Sequence, residues 1–230
     1  MKNVVVLTGA GISAESGINT FRDSGGLWEG HDVMEVASPE GWRKNPELVL
    51  EFYNIRRKDA LKAQPNEAHL ALVELNKHFP VKIITQNVDD LHERAGSTDV
   101  LHLHGKLFES RSTANHRLIY PIDGWELKPG DRCTRGSQLR PNIVWFGEAV
   151  PLMDDAVKLT AKADVFIVIG TSLQVYPAAS LVDYAGPDTE VIVIDPNMPA
   201  VKNHPLLTLV AEKASIATPR IVRELIEKYK

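Results

Sequence analysis

The sequence predicts a doubly wound α/β fold, in which helices cover both faces of a parallel sheet. Short runs of β-branched residues alternate along the chain with amphipathic stretches, which is typical of strands joined by crossover helices. The first run ends directly in a glycine-rich loop, as expected of a buried parallel strand. The chain has 230 residues and is 43% hydrophobic, which fits one large domain or one domain with a small insert.

Six runs are the candidate strands of this sheet. Residues 4–7, 81–85, 164–170 and 190–195 give the strongest signals, and residues 100–103 and 206–210 give weaker ones. Between the strands, Asn66 is the expected N-cap of a helix over residues 67–78. Thr218-Pro219 is the start signal for a helix over residues 220–229.

Two stretches interrupt this alternation and predict a small inserted domain. Residues 20–64 lack a strand signal and contain a helix that is expected to begin near Pro46. Residues 106–140 are polar and rich in turn residues, without strong periodicity. We therefore expect one domain from residues 1–30, 65–105 and 140–230. The insert is expected to comprise residues 31–64 and 106–139.

The composition excludes several classes of protein. Lysine and arginine total 26 against 30 acidic residues, so the net charge of −4 disfavours binding to a nucleic acid backbone. No apolar run approaches the ~20 residues of a membrane span, and no apolar signal region precedes the first strand, so we expect a cytoplasmic protein. A single cysteine, Cys133, permits neither an internal disulfide nor a four-thiolate zinc site.

A glycine motif follows the first predicted strand. Gly9-Ala10-Gly11-Ile12-Ser13-Ala14 matches G-x-G-x-x-G/A, so backbone N–H groups at the start of the next helix could face a pyrophosphate. The alternative is that the glycines only make a tight turn. The next strong strand begins at Val81, whereas a dinucleotide fingerprint places an acidic residue on a second strand about 20 residues after the glycines. A simple hydride-transfer dehydrogenase is therefore disfavoured.

Polar side chains follow two further predicted strands. Gln86, Asn87 and Asp89 lie just past a strand's carboxyl end, where open α/β sheets bind ligands, although one such residue alone could serve only as a helix cap. His102 and His104 would share one face of a strand. His104 stands at its end beside a glycine, and its near-neutral pKa suits a general base, although a lone histidine is more often structural.

These motifs resemble those of sirtuins, the NAD-dependent protein deacylases, in the same order and over nearly the whole chain. The segments that carry the resemblance are Gly9-Ala10-Gly11-Ile12-Ser13-Ala14-Glu15-Ser16-Gly17-Ile18-Asn19-Thr20-Phe21-Arg22, Gly26-Leu27-Trp28, Gln86-Asn87-Val88-Asp89, His104-Gly105, Arg140-Pro141, Val144-Trp145-Phe146-Gly147-Glu148 and Gly170-Thr171-Ser172. The resemblance implies a Rossmann-like NAD-binding domain with a small domain inserted after the first glycine loop. It also explains the long gap before the second strand.

The resemblance implies chemistry at the nicotinamide ribose of NAD. In such enzymes the acyl oxygen of an acylated lysine attacks the ribose carbon as nicotinamide leaves, and water later releases lysine and O-acyl-ADP-ribose. His104 would be the base acting on the ribose hydroxyls. Asn87 and Asp89 would hold the ribose and the nicotinamide amide.

The other cofactor residues are also carried over by resemblance. Gln86 would contact a ribose. The phosphate cradle would be formed by Gly9, Ala10, Gly11, Ile12 and Ser13. The loop over the cofactor would carry Phe21, Arg22 and Trp28. The adenosine side would be contacted by Gly170, Thr171, Ser172, Asp195 and Ala214. Asp195 would substitute for an asparagine that the family often presents to the adenosine ribose near Val193.

The resemblance also implies the acyl substrate. Val144, Phe146 and Gly147 would pair with an extended peptide that carries the acylated lysine. Tyr53 and Arg56 lie three residues apart on one helical face, as in sirtuins that remove succinyl or malonyl groups, and bacterial enzymes with this pair also accept acetyl-lysine. Ala37 matches the small residue that widens their acyl pocket. From the residues alone, a surface arginine beside a half-buried tyrosine is the alternative.

The family's usual zinc site is the main departure. Two cysteine pairs are expected between residues 106 and 139, but only Cys133 is present, and Ser112 and Arg135 stand where partners are expected. We therefore expect no zinc. The segment would instead be braced by an apolar cluster of Leu107, Phe108, Leu118, Ile119, Tyr120 and Trp125.

Three functions compete on this sequence. An NAD-dependent deacylase of acidic acyl groups and of acetyl-lysine is the leading hypothesis. An NAD-consuming ADP-ribosyltransferase or glycohydrolase would use the same ribose site with another nucleophile. A non-catalytic module that senses NAD or ADP-ribose is the third, and the joint presence of Asn87, Asp89 and His104 argues against it. The sequence leaves the oligomeric state open.

Overall fold

The computed structural model describes residues 1–18, 27–28 and 30–230, with the side chains of residues 27 and 28 left undescribed. Its strands are β1 Val4–Thr8, β2 Leu27–Trp28, β3 His31–Asp32, β4 Val81–Thr85, β5 Val100–His102, β6 Gly105–Ser112, β7 Ile119–Pro121, β8 Leu139–Ile143, β9 Val165–Ile169, β10 Glu190–Ile194 and β11 Leu207–Val210. Its α-helices are α1 Ala10–Ala14, α2 Val33–Val36, α3 Pro39–Lys44, α4 Pro46–Lys62, α5 Glu67–Asn76, α6 Leu91–Ala95, α7 Met153–Thr160 and α8 Ala214–Tyr229, and Ala178–Tyr184 is a 3₁₀-helix.

Six parallel strands form the main sheet, in the order β11-β10-β9-β1-β4-β5. The chain starts in the middle, builds outward through β4 and β5, and returns to the other side of β1 at β9. Each of the six predicted strand runs is present. The predicted doubly wound α/β fold is confirmed.

Helices cover both faces of this sheet because successive strand residues point to opposite sides. Val4 and Val6 pack with Leu72 of α5 and Ile221 of α8 on one face. On the other face, Val5 belongs to a second apolar cluster with residues of α7 and of the 3₁₀-helix. Each fully buried side chain of this kind contributes about 1.5–3 kcal/mol to stability.

Local signals explain where several helices begin. The Asn45 side chain accepts the N–H of Leu48, and Pro46 occupies the first turn, so α4 begins as predicted. Asn66 caps α5 in the same way, and that prediction is also confirmed. The helix predicted over residues 220–229 is present in α8, but its predicted start signal is wrong, because α8 begins at Ala214 and includes Pro219.

The insert contains more β-structure than the sequence predicts. Strands β6, β7 and β8 form an antiparallel sheet in the segment predicted as a loop-rich excursion. Strands β2 and β3 pair as a short hairpin in the segment that lacks a strand signal. Strand β6 escaped prediction because its buried positions do not alternate and its register with β8 shifts between Gly105 and Ser110.

Across the described residues, no helix is both long enough and apolar enough to cross a membrane.

Candidate active site

The carboxyl ends of the central strands lie level with one another. Thr8 of β1 pairs with Thr85 of β4 on one side and with Ile169 of β9 on the other. Thr85 pairs in turn with His102 of β5, and Ile169 pairs with Ile194 of β10. The strand order reverses between β1 and β9, and open α/β sheets bind their ligands in the crevice at such a point.

Two glycine loops pack tightly against each other in this crevice. A Cβ atom on Gly11 would lie 2.6 Å from the Gly170 Cα, and one on Gly9 would lie 2.7 Å from the Gly170 carbonyl oxygen. The N–H groups of Gly9 and Gly11 donate to the carbonyls of Ile169 and Gly170 at 3.0 and 2.8 Å. These N–H groups therefore join the two loops, and the glycines are required by the close approach.

Asn87 is fixed through both its backbone and its side chain. Its Nδ2 donates to the Gly9 carbonyl at 3.1 Å and to the Ser13 Oγ at 3.2 Å. Its N–H donates to the Thr85 Oγ1, which also accepts the hydroxyl of Thr8 at 2.8 Å. Residues from β1, α1 and β4 thus hold one amide in the crevice, and the threonines carried no sequence signal for this role.

Asp89 is a buried carboxylate two residues further along. Its Oδ1 accepts the N–H of Leu91 at 3.2 Å. Burial raises the pKa of Asp89, and hydrogen bonds from Leu91 and Ser13 oppose that shift. No lysine or arginine of the described residues forms an ion pair with it. A buried acceptor beside the Asn87 amide suits a ligand rich in hydroxyl and amide groups, such as the ribose and nicotinamide of NAD.

His104 lies at the end of this crevice with one ring nitrogen fixed. Its Nδ1 lies 3.0 Å from the carbonyl oxygen of Gln86, which can only accept, so Nδ1 carries the hydrogen and Nε2 is the basic nitrogen. Burial lowers the pKa of His104, and the bond to Gln86 partly opposes this. The imidazole is therefore neutral at physiological pH. The Gln86 side chain donates to the Thr171 Oγ1 at 3.0 Å, which links the β4 and β9 ends.

Behind this row, two buried histidines support the strand ends. His92 Nε2 lies 3.0 Å from the Thr8 Oγ1, and its ring meets that of His69 edge to face at 5.0 Å. Burial lowers the pKa of His92 to about 3 and that of His69 to about 4. Both rings are therefore neutral supports, and neither was predicted from the sequence.

The remaining predicted cofactor residues are placed as follows. Asp195 directly follows β10, and its Oδ1 accepts the N–H of Asn197 at 2.8 Å. Ala214 is buried at the start of α8, and its neighbour Ser215 bonds Glu15 at the end of α1. Phe21 and Arg22 lie outside the described residues. Of Trp28 only the backbone, in β2, is described.

Tyr53 is the centre of a second buried group, in the insert. Its hydroxyl accepts the indole N–H of Trp145 at 3.0 Å, so its own proton is free to be donated elsewhere. Burial raises the pKa of Tyr53 to about 12, opposed by the Trp145 bond and by the nearby charge of Arg56. Ala37 belongs to the same apolar cluster and is 2% exposed. The structure thus brings together these predicted acyl-pocket residues.

The predicted peptide-binding segment follows β8 and is already partly bonded. The N–H of Val144 donates to the His104 carbonyl at 2.9 Å, and the N–H of Phe146 donates to the Ala37 carbonyl at 3.0 Å. Gly147 has a φ of +88°, which favours glycine. The segment therefore connects the turn that contains His104 to the Tyr53 group.

Glu148 follows this segment and forms a network of ion pairs and hydrogen bonds that was not predicted from the sequence. Its carboxylate accepts hydrogen bonds from Arg111, Arg140 and the Trp145 N–H. The Arg140 guanidinium also stacks on the Trp145 ring, 3.3 Å from its centroid. The ends of β6 and β8 are thus tied to the indole that bonds Tyr53.

The segment expected to carry zinc in the family is braced by packing and hydrogen bonds. Cys133 is buried with Leu50, Leu127 and Leu139, and Leu118 and Tyr120 pack against this cluster. A hydrogen bond from Ser112 lowers the pKa of the Cys133 thiol. Within residues 1–18, 27–28 and 30–230, no group of three or more histidine, cysteine or acidic side chains could hold a metal.

The predicted single cluster for this segment is wrong in part. Leu118 and Tyr120 join the Cys133 group, whereas Leu107 and Phe108 pack with Tyr53 and its neighbours. Ile119 is 48% exposed. The apolar side chains of this segment therefore divide between two clusters.

The fold is that of a doubly wound α/β protein, and its candidate ligand site lies at the switch point of the sheet. A family model described as the Sir2 family matches residues 9–177. A Helicobacter pylori (strain J99) protein named NAD-dependent protein deacylase is 56% identical over 229 residues, covering 99% of this chain and 97% of that protein. The chain belongs to the Sir2 family.

Solved structures agree with this assignment. A structure described as a Sir2 homolog–NAD complex matches with a TM-score of 0.88 and 42% identity, covering 99% of this chain and 90% of that one. Another, described as Sir2 bound to acetylated peptide, matches with a TM-score of 0.79 and 30% identity, covering 96% of this chain and 92% of that one.

Proposed function

We propose that this chain is an NAD-dependent protein-lysine deacylase that removes succinyl and malonyl groups and also acetyl groups. Family membership and the deacylase names of its relatives support the reaction class. The observation that carries the proposal is His104, whose Nδ1 bond to the carbonyl of Gln86, the neighbour of Asn87 in the chain, leaves Nε2 as the basic nitrogen of a neutral ring. When bound, NAD supplies a ribose carbon that accepts the acyl oxygen as nicotinamide departs.

In this proposal each residue of the crevice has a separate role. His104 is the general base for the ribose hydroxyls, because its imidazole is uncharged at neutral pH. Asn87 and Asp89 hold the ribose and the nicotinamide amide through their fixed amide and carboxylate groups. Gln86 adds a ribose contact. The loops of Gly9 and Gly170 form the floor beneath the phosphates, and the adenosine side is met by Thr171, Ser172, Asp195 and Ala214.

The same proposal assigns the two parts of the chain. Residues 1–30, 65–105 and 140–230 form the NAD-binding domain, and residues 31–64 and 106–139 form the small domain, which requires no zinc. Val144, Phe146 and Gly147 lie where these parts meet and bind the extended peptide. A relative bound to acetylated peptide supports this assignment of the substrate.

One assay separates this function from the alternatives. The protein is mixed with NAD and peptides carrying acetyl-, malonyl- or succinyl-lysine, and nicotinamide release and peptide mass are followed together. Release of nicotinamide matched by loss of the acyl mass is expected. Nicotinamide release without deacylation would instead favour an ADP-ribosyltransferase or glycohydrolase, and no release would contradict the proposal.

The acyl preference rests on Tyr53 and Arg56. The neutral phenol has a free proton to donate, and Arg56 is close enough for its charge to affect the pKa of that phenol. Together they can bind the terminal carboxylate of a succinyl or malonyl chain, whereas acetyl offers no such group. Arg57, the next residue, is fully buried and donates to the Trp125 and Leu107 carbonyls, so it has a structural role.

Arg56→Met tests this preference. We expect desuccinylation to fall roughly 10- to 100-fold with deacetylation retained, because one hydrogen bond to a charged group is lost. Tyr53→Phe should act in the same direction, and Lys62→Met, an exposed change at the end of the same helix, serves as the control. Equal losses on both substrates after Arg56→Met would reject the pocket assignment.

A further inference from the structure

His102 is a buried histidine that the proposed chemistry leaves without a role. It ends β5, two residues before His104, and is 5% exposed. Its Nδ1 lies 3.1 Å from the carbonyl oxygen of Asn87, and its Nε2 lies 2.7 Å from the Glu93 Oε1. A carbonyl and a carboxylate both only accept hydrogen bonds, so this arrangement is complete when both ring nitrogens carry hydrogen.

Glu93 is placed on α6 to face this ring. Burial raises its pKa, but the hydrogen bond and charge of His102, together with the charge of Lys106, outweigh burial and bring the pKa to about 2. Lys106 Nζ lies 3.5 Å from the same carboxylate oxygen. Glu93 is therefore an anion that fixes His102 in one orientation.

His102 at the end of β5 and His104 in the turn that follows face consecutive carbonyls of the active-site loop. His104 Nδ1 donates to the Gln86 carbonyl, and His102 Nδ1 faces the Asn87 carbonyl. The N–H and side chain of Asn87 are held separately by Thr85, Gly9 and Ser13. The carbonyl bond adds a constraint on the peptide plane between Asn87 and Val88, and so helps to hold the backbone from which the Asn87 amide projects.

We propose that His102 and Glu93 form a positioning pair, in which Glu93 orients His102 and the Nδ1–H of His102 holds Asn87 in the geometry required for nicotinamide release. The inference rests on the proposed function, since it takes Asn87 as the group that holds the nicotinamide ribose. Neither His102 nor Glu93 touches the substrate in this assignment.

Two substitutions of His102 each remove one of its two hydrogen bonds and keep the other. In His102→Asn the side-chain N–H₂ occupies the place of Nδ1 and can still donate to Asn87, but it cannot reach Glu93. In His102→Gln the N–H₂ occupies the place of Nε2 and can still donate to Glu93, but the Asn87 carbonyl is left without its donor. Each variant loses one bond, and His102→Asn loses the one to the charged Glu93 carboxylate, so its thermal stability should fall at least as much as that of His102→Gln.

The activity of the two variants should differ. We expect His102→Gln to lower kcat for nicotinamide release ~10-fold or more with KM for the acyl-lysine peptide unchanged, as a buried acceptor loses its donor, whereas His102→Asn stays within ~3-fold of the parent protein. Equal kcat values in two folded variants, whether both reduced or both retained, would overturn the positioning role.

A second measurement uses the protein without NAD. Long-range ¹H–¹⁵N spectra of histidine-labelled protein should show both His102 nitrogens protonated, and the Asn87 side-chain amide resonance should move in His102→Gln but not in His102→Asn. A bare Nδ1 in the parent protein would overturn the inference. If the parent protein releases no nicotinamide, the proposed function fails, while these spectra still decide whether His102 holds Asn87.

Discussion

Replacing Glu148 by glutamine tests the network that joins β6, β8 and Trp145. The Glu148 carboxylate accepts two hydrogen bonds from Arg111, two from Arg140 and one from the Trp145 N–H, all between 2.9 and 3.1 Å. Glutamine has nearly the same volume but no charge, and its amide N–H₂ would face a guanidinium. Two arginines would then share a confined site without a compensating anion.

The expected loss follows from the burial of this network. Removing one partner of a buried ion pair typically costs 3–5 kcal/mol, and Glu148 keeps some exposure, so we expect a loss of about 3 kcal/mol in the free energy of unfolding. Urea unfolding followed by tryptophan fluorescence at pH 7.5 measures it. Asp59→Asn, which breaks the exposed pair with Lys62, is the control and should cost less than about 0.5 kcal/mol.

The pH dependence gives this prediction a second test. Burial raises the pKa of Glu148, but the bonds from Arg140 and Trp145 outweigh it and lower the pKa below its usual value. A depressed carboxyl pKa contributes stability that is present above the unfolded value of about 4.3 and is lost as the pH falls through the folded value. The two proteins should therefore converge in stability at acidic pH. A loss below about 1 kcal/mol at pH 7.5, or a difference that persists after Glu148 is protonated, would refute the argument.

Three further predictions concern the histidines and the metal. His104→Ala should lower the deacylation rate by roughly 10²- to 10⁴-fold in a folded protein. In the parent protein, the acid limb of the kcat/KM profile should lie below about pH 6.5, because burial lowers the pKa of His104 and the free base is lost only below that value. Between pH 7 and 5, His69 should lower the free energy of unfolding by about 2 kcal/mol, because its ring binds a proton below about pH 6.5 in the unfolded chain but only below about 4 in the folded one. In urea unfolding, His69→Asn should lack this part of the fall in stability with pH. Treatment with a chelator should leave the melting temperature unchanged, and one tightly bound zinc per chain by elemental analysis would contradict this.

The parallel sheet was predictable from the sequence because its inner strands β1, β4, β9 and β10 are buried on both faces. Strand β9 has the sequence Val-Phe-Ile-Val-Ile and every residue is buried, so its apolar run is uninterrupted. Strand β6 instead reads Gly-Lys-Leu-Phe-Glu-Ser-Arg-Ser and carries charged residues on partly buried positions that do not alternate regularly with buried ones. An antiparallel strand with this mixed pattern and a register shift gives no comparable signal.

Of the candidate site, only the residues that belong to sequence motifs could be predicted. Asn87, Asp89 and His104 follow strand ends, and the register of the parallel sheet brings those ends level. The partners that hold these residues, such as Thr8 and His92, lie on other elements, and their pairing depends on side-chain directions in the folded chain. Spacing in the sequence carries no information about such contacts.

Trp145 links the proposed peptide-binding segment to the proposed acyl pocket. Its backbone N–H is held by Glu148, its ring face by Arg140, and its indole N–H donates to the Tyr53 hydroxyl. The neighbouring Phe146 is bonded through its N–H to the carbonyl of Ala37, which packs in the Tyr53 cluster. In the proposed function, a peptide that displaces the backbone of this segment would also displace the two groups that shape the proposed acyl pocket. Binding of the peptide backbone and selection of the acyl group would then be coupled through one indole, since its ring cannot turn without breaking the bond to Tyr53 or the stack on Arg140.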